Sequence, residues 1–151
     1  MKITKYSKSE KNLKDIQRIC RDFKYFEYYS IFFKDPYYLV YLASIEEKNI
    51  GVMVLSRHSY NLYGDFLWVD EDYRSKKIGS QMLEMAIEMG RKEGYRSFIG
   101  DAVSTNIQAH RLYERIGFIK YGEFTNIYGE GQEIIHMFRI VYPENLELNL
   151  K

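Results

Sequence analysis

Apolar residues change their spacing repeatedly along this chain, and the changes mark out its elements. Met1 to Tyr6 alternates weakly and predicts a first strand. Ser9 suits the cap of a helix over Glu10 to about Arg21, with Leu13, Ile16 and Ile19 on one face. Phe23, Tyr25, Phe26, Tyr28, Tyr29, Phe32 and Phe33 then crowd together, which fits a second short helix ahead of the Asp35-Pro36 break. Tyr38 to Ile45 reads as a strand, Glu47-Lys48-Asn49 as a turn and Ile50 to Ser56 as the return strand of a hairpin. Leu62 to Val69 predicts a further strand. Ile78, Met82, Leu83, Ala86 and Met89 recur at helical spacing, with Glu84, Glu88 and Lys92 facing away, and Gly90 or Gly94 ends that helix. Ser97 to Val103 is a compact apolar strand. Asn106 or Thr105 can cap the next helix, which buries Ala109, Leu112 and Ile116 and stops at Gly117. Phe118 to Phe124 and Ile134 to Val141 are two more strands, joined by Tyr128-Gly129-Glu130-Gly131, and alternating leucines follow Pro143. Strands interleaved with helices imply an α/β sheet with helices packed on it. With no linker, repeat or low-complexity tract, a single domain over residues 1–151 is expected.

Composition narrows the function classes. A hydrophobic share of 46% and a charged share of 28% are ordinary for a globular protein. The aromatic share of 17%, with 15 tyrosines, points to deep packing or a stacked ligand wall. A formal net charge of +1 argues against a nucleic-acid binder that depends on bulk electrostatics. The single cysteine, Cys20, excludes an intramolecular disulfide and a cysteine-built zinc site, and it reads as a packing residue on the first helix. No apolar run approaches the roughly 20 residues of a membrane span, and the N-terminus lacks a signal-peptide pattern. A cytoplasmic protein with no metal and no membrane partner is expected.

The most informative stretch follows the Phe66 to Val69 run. Asp70-Glu71-Asp72-Tyr73-Arg74-Ser75-Lys76-Lys77 is polar and partly basic, and it feeds a helix through Ile78-Gly79-Ser80. The first N–H groups of a helix have no partner inside it, and the peptide dipoles leave that end partly positive. A strand, a basic turn and a helix start in that order make a seat for a diphosphate, framed by Arg74, Lys76 and Lys77. The alternative is a solvated run of charge.

Two motifs in order resemble the GNAT superfamily of acetyl-CoA-dependent N-acetyltransferases. Arg74-Ser75-Lys76-Lys77-Ile78-Gly79 is similar to the Arg/Gln-x-x-Gly-x-Gly/Ala pyrophosphate loop, with Lys77 where that motif has its first glycine. Asn106-Ile107-Gln108-Ala109-His110-Arg111-Leu112-Tyr113-Glu114-Arg115-Ile116-Gly117-Phe118 looks like Asn-x-x-Ala-x-x-Leu-Tyr-x-x-x-Gly-Phe. One helix and one strand separate the blocks, as in that superfamily. The resemblance implies a mixed, mostly antiparallel sheet of about six or seven strands with flanking helices and a splayed central strand pair.

It also implies roles residue by residue. Pantetheine of acetyl-CoA, the acyl donor, would pair with backbone around Leu67, Trp68 and Val69, where an N–H is the natural oxyanion donor. The diphosphate would rest on the amides of Lys76 to Ser80. Tyr113, two helical turns beyond Asn106, would protonate the departing sulfur, or else be a packed aromatic with a backbone partner. Asn106 would contact the pantetheine arm, cap the helix, or both. Asp101 takes the position of a glutamate implicated as base in ribosomal-protein N-terminal acetyltransferases of the superfamily, its other role being to order a loop. Asp65 is a second candidate. His110 is expected to face solvent, and His58 and His136 have no evident partners in the sequence. The acceptor pocket is expected from the Phe23 to Tyr38 segment, the Tyr60 to Tyr63 turn and the Thr125 to Gln132 loop, whose rings either enclose a cation or aromatic acceptor or serve as core and dimer surface. Neither a small amine nor a peptide or protein amine is singled out as acceptor. A catalytically silent acyl-CoA-binding or sensing module, and a plain interaction domain, are the other functions considered.

Overall fold

The computed structural model describes residues 1–125 and 133–141. The Tyr128-Gly129-Glu130-Gly131 connection and the leucines after Pro143 lie outside the described residues. In chain order the elements are β1 (Lys2–Lys5), α1 (Glu10–Ile19), α2 (Phe26–Tyr29), β2 (Leu39–Ile45), β3 (Lys48–His58), β4 (Asn61–Val69), α3 (Ile78–Lys92), β5 (Ser97–Val103), α4 (Ile107–Arg115), β6 (Ile119–Thr125) and β7 (Glu133–Ile140). Short 3-10 turns occupy Ser30–Phe33 and Glu71–Tyr73. The seven strands follow the order β1-β2-β3-β4-β5-β7-β6. The β1/β2, β2/β3, β5/β7 and β6/β7 pairs are antiparallel. This is the mixed, mostly antiparallel α/β sheet that the resemblance implies. The chain divides into two compact units, Met1–Ser56 with Gly64–Leu83, and Arg57–Tyr63 with Glu84–Lys151.

In the first unit Ser9 caps α1 by accepting the Asn12 N–H at 3.2 Å. Ile16 and Ile19 carry the helix onto Val40, Leu42, Val52, Val54 and Phe66, with Cys20 and Phe33 in the same core. Burial of this kind is the main favourable contribution to the fold. The helix stops at Ile19 rather than near Arg21, so Arg18, Arg21 and Asp22 lie at its end. The aromatic segment forms one α-helical turn and one 3-10 turn. Phe23 packs on Trp68 at 4.6 Å between ring centres, and Tyr29 on Phe66 at 5.3 Å, whereas Tyr25, Tyr28 and Tyr37 point outward. The hairpin turns at Glu46-Glu47, with Ile45 paired to Lys48, one residue earlier than the predicted turn. Both turn residues have positive φ, 48° and 65°, the geometry whose twist matches the flanking strands.

In the second unit β7, the last of the described strands, enters between β5 and β6. Arg96 N–H bonds the Tyr60 carbonyl at 2.8 Å and Ser97 Oγ bonds Asn61 Oδ1, which ties the start of β5 to the start of β4. Both helices of the motif region end alike. Gly94 (φ 88°) follows α3, with Tyr95 N–H on the Gly90 carbonyl at 2.9 Å. Gly117 (φ 86°) follows α4, with Phe118 N–H on the Tyr113 carbonyl at 3.0 Å. Gly94 is therefore the terminator and Gly90 lies inside α3. Among the described residues no helix is long and apolar enough to cross a membrane.

Candidate active site

The loop between β4 and α3 is built from two left-handed residues. Ser75 has φ 63° and Lys77 φ 62°. Lys77 thus adopts the backbone that a glycine takes without cost, at roughly 1–2 kcal/mol for a residue with a Cβ. The first backbone bond into α3 is Gln81 N–H to the Lys77 carbonyl at 3.0 Å. Among the described residues the amides of Lys76, Lys77, Ile78 and Gly79 have no acceptor. Ile78 and Ser80 are buried and anchor the first turn of the helix, while Ser75, Lys76 and Lys77 are exposed. Lys76 Nζ bonds the Asp72 carbonyl at 3.2 Å and lies 4.9 Å from the centre of the Tyr73 ring. Alternating left-handed backbone ahead of a helix start turns successive N–H groups toward one point, which is a seat for an anion.

Arg74 has a different set of contacts from its neighbours. Its Nε donates to the Val69 carbonyl at 3.0 Å, its Nη2 meets Asp22 Oδ2 at 2.5 Å, and its guanidinium lies 5.0 Å from the centre of the Trp68 ring. Trp68 Nε1 donates to the same Asp22 carboxylate at 3.0 Å. Burial would raise the Asp22 pKa, but the Trp68 and Arg74 hydrogen bonds and the Arg74 charge outweigh it and hold the group below its ordinary value. Arg74 therefore fastens the loop to β4 and to the end of α1. Leu67, Trp68 and Val69 are half-buried, and the Val69 carbonyl is already an acceptor for Arg74.

The sequence reading does not single out Asp70, which is fully buried. Arg18 Nη1 reaches its Oδ2 at 2.6 Å and Arg21 Nη1 its Oδ1 at 2.9 Å. Its Oδ1 also accepts the Asp72 N–H at 3.2 Å, and its own N–H donates to the Ile50 carbonyl at 2.9 Å. Desolvation pushes the Asp70 pKa up. The Arg21 hydrogen bond, the Asp72 amide and the charges of Arg21 and Arg18 more than reverse that, so the carboxylate titrates below its ordinary value. Arg21 also reaches Glu71 and Asp72, each at 3.0 Å. The available signal was charge complementarity between the end of α1 (Arg18, Arg21) and Asp70-Glu71-Asp72.

In the second unit α4 presents Tyr113 to β5. A Cβ at Gly100 would stand 2.9 Å from Tyr113 Oη, so the phenol occupies the space that glycine leaves. Tyr113 is 6% exposed and also contacts Phe118, 5.0 Å away between ring centres. Among the described residues its hydroxyl has no hydrogen-bond partner. Burial, then the Asp101 charge, push the phenol up to about 12. Asn106 caps α4, its Oδ1 accepting the Ala109 N–H at 3.1 Å. His110 does not simply face solvent, because its Nε2 donates to the Val103 carbonyl at 2.9 Å. Asp101 meets His136 across the β5/β7 pair, Oδ1 to Nδ1 at 2.5 Å. Burial raises the Asp101 pKa, against an opposing pull from His136. His136 is the partner that sequence reasoning lacked. Asp65 is half-buried on β4 in the first unit. Among the described residues no group of three or more His, Cys, Asp or Glu could hold a metal ion.

A family model described as "Acetyltransferase (GNAT) family" matches residues 8–118. The chain belongs to that family. Over 117 residues it is 28% identical to N-alpha-acetyltransferase 30 of Dictyostelium discoideum, covering 75% of this chain and 62% of the relative, so it spans less than two thirds of that protein's length. The fold is similar to that of the ribosomal-protein-S18-alanine N-acetyltransferase of Escherichia coli, with TM-score 0.76, 20% identity and coverage of 96% and 99% of the two chains. It is also similar to an aminoglycoside 6'-N-acetyltransferase complexed with coenzyme A, with TM-score 0.79, 13% identity and coverage of 95% and 98%.

Proposed function

We propose that the protein is an N-acetyltransferase that moves an acetyl group from acetyl-CoA directly to a primary amine. The observation that carries this reading is the run of amides without protein acceptors, Lys76 to Gly79, where a left-handed loop opens a fifteen-residue helix. In this reading those amides hold the diphosphate, with Lys76 and Lys77 adding positive charge, Arg74 holding the loop in shape and the buried Ser80 anchoring the helix start beneath it. Acetyl-CoA supplies the activated acyl group. Backbone around Leu67 to Val69 supplies the oxyanion donor. Asn106 uses Oδ1 as the helix cap, which leaves its Nδ2 to donate to pantetheine.

Tyr113 is the general acid. A phenol held near 12 is fully protonated at neutral pH and so has a proton to give to a departing thiolate. The base is assigned to the Asp101 position together with the imidazole bonded to it. Nothing in this reading needs a metal, a nucleic acid or a membrane, and it assigns the protein to the cytoplasm.

The alternative is an acyl-CoA-binding module without turnover. Thiol release from acetyl-CoA across a panel of small amines, peptide N-termini and lysine peptides tests the choice. Release above background with at least one acceptor, lost in Tyr113→Phe while coenzyme A still binds, supports the enzyme. Background rates with every acceptor, alongside intact coenzyme A binding, would leave the silent module.

A further inference from the structure

Asp101 and His136 stand opposite each other in the β5/β7 register. In the neutral ring their 2.5 Å contact selects the tautomer, since a carboxylate oxygen only accepts, so Nδ1 carries the hydrogen and Nε2 keeps a lone pair. Among the described residues Nε2 has no partner. Side chains alternate along a strand, and Gly100 faces Tyr113, so Asp101 and His136 lie on the sheet face away from α4. On that face they are flanked by Ile99 on one side and by Val103, Ile134 and Phe124 on the other. The residue of β6 opposite His136 is Gly122, which puts no side chain over the imidazole. The rings of Phe124, at 4.7 Å and edge-on, and of Tyr121, at 5.7 Å, stand beside it. His136 is thus 19% exposed in an otherwise apolar and aromatic setting.

We propose that His136 Nε2 is the proton acceptor for the incoming ammonium group, with Asp101 as the positioning residue that holds its tautomer and stabilises the imidazolium. This rests on the acetyl-transfer reading above. An imidazole, ordinarily near 6.5, is matched by type to taking a proton at neutral pH, whereas a carboxylate is ordinarily a weaker base there, and burial raises Asp101 only against the pull of His136. The Asp101 oxygen nearest the ring is, moreover, already bonded to it. The titratable groups around the pair are Tyr121 on β6, Tyr63 on β4, which acts on Tyr121, and Tyr113 on α4, which Asp101 influences. Tyr121 and Tyr113 are both raised above the ordinary phenol value and so are neutral near pH 7, which leaves Asp101 as the charge among these groups bearing on the imidazole. The acceptor class that fits is a primary ammonium carried on an apolar or aromatic body, with its charge beside the pair and its body against Phe124 and Tyr121.

The protons balance as follows. One ammonium proton passes to Nε2. The neutral amine attacks the thioester carbonyl, forming the C–N bond. The C–S bond breaks and sulfur takes the Tyr113 proton. The phenolate recovers the excess proton from the amide nitrogen, and the imidazolium releases its proton to water, for a net loss of one proton to solvent.

The test is the pH profile of kcat/KM for wild type, His136→Gln and Asp101→Asn, with acetyl-CoA and whichever panel amine wild type turns over. His136→Gln is expected to lower kcat at pH 7 by about 100-fold or more, with coenzyme A affinity within about twofold and the acid limb lost. Asp101→Asn is expected to lower kcat by about tenfold or more while leaving KM for the amine within about twofold, because the amide no longer selects the tautomer whose Nε2 accepts a proton. Gly122→Leu keeps both groups and covers the ring, and it is expected to lower kcat/KM at least tenfold while leaving coenzyme A affinity within about twofold. If wild type turns over but His136→Gln retains kcat within twofold and keeps its acid limb, the assignment of His136 is overturned and acetyl transfer stands. If wild type acetylates no amine, acetyl transfer itself fails and this proposal falls with it.

Discussion

The phenol of Tyr113 fills the space beside Gly100, one residue before Asp101. A methyl carbon at position 100 would come within 2.9 Å of both Cζ and Oη of the tyrosine and 3.0 Å of Cε1. A glycine on β5 and a tyrosine on α4 are therefore a single packing unit, and the position of the phenol depends on the missing side chain.

Gly100→Ala must displace the ring, at an expected cost of about 1–3 kcal/mol in stability. The same variant should lower kcat in the direction of Tyr113→Phe while leaving coenzyme A affinity unchanged. Urea denaturation and steady-state kinetics on the two variants check this. Full stability and full turnover in Gly100→Ala would show that the phenol does not need its observed position.

Lys77 holds a φ of 62° where a glycine would be unstrained. Lys77→Gly should relieve that strain, offset in part by the extra freedom glycine gives the unfolded chain, for a net gain of roughly 0.5–1 kcal/mol in the ligand-free protein. Coenzyme A affinity should fall a few-fold at low salt as one cation leaves the loop, and the difference should shrink as salt rises. A thermal melt and a salt series of binding titrations would record both effects. A destabilised glycine variant would contradict the backbone described here.

Much of the architecture was legible because it is local. The Ser9 and Asn106 caps, the α3 period and the β5 apolar run all depend on residues within a few positions of one another. The hairpin turn was displaced because Glu46 and Glu47, neither a usual turn residue, take positive φ under the constraint of the strands. Both lines of contact that shape the candidate site are non-local. Asp70 is recognisable only when α1 is known to end beside the loop, and the Asp101–His136 pair only when β7 is known to enter beside β5. The motif around Tyr113 located that residue, but its contact with Gly100 depends on how α4 lies on β5.

Asp70 is the acidic centre of the loop's attachment to α1. Its pKa is held below the ordinary value, so its contribution to stability is complete above about pH 4 and is lost as pH falls through the depressed folded value. Asp70→Asn should cost about 1–3 kcal/mol at pH 7, with Arg18 and Arg21 partly exposed and so partly rehydrated. It should also flatten the acid side of the stability curve. Denaturant titrations between pH 3 and pH 7 check the slope; an unchanged acid limb would remove Asp70 from this role.

Cys20 is buried in the α1 core, and burial, reinforced by Asp22 and opposed by Arg74, pushes its thiol up to about 12. It should react with an aromatic disulfide reagent only after unfolding, since the thiolate is the reactive form. Fast labelling of the native protein at pH 8 would contradict this placement.

The central claim is that the amides opening α3 seat the diphosphate of an acyl-CoA. Calorimetric titration of coenzyme A into wild type and Gly79→Glu, with matched circular dichroism, tests it most directly. Saturable heat for wild type and none for the correctly folded variant, whose carboxylate would occupy the anion seat, is the expected result. Equal affinity in the two proteins would mean that the diphosphate binds elsewhere.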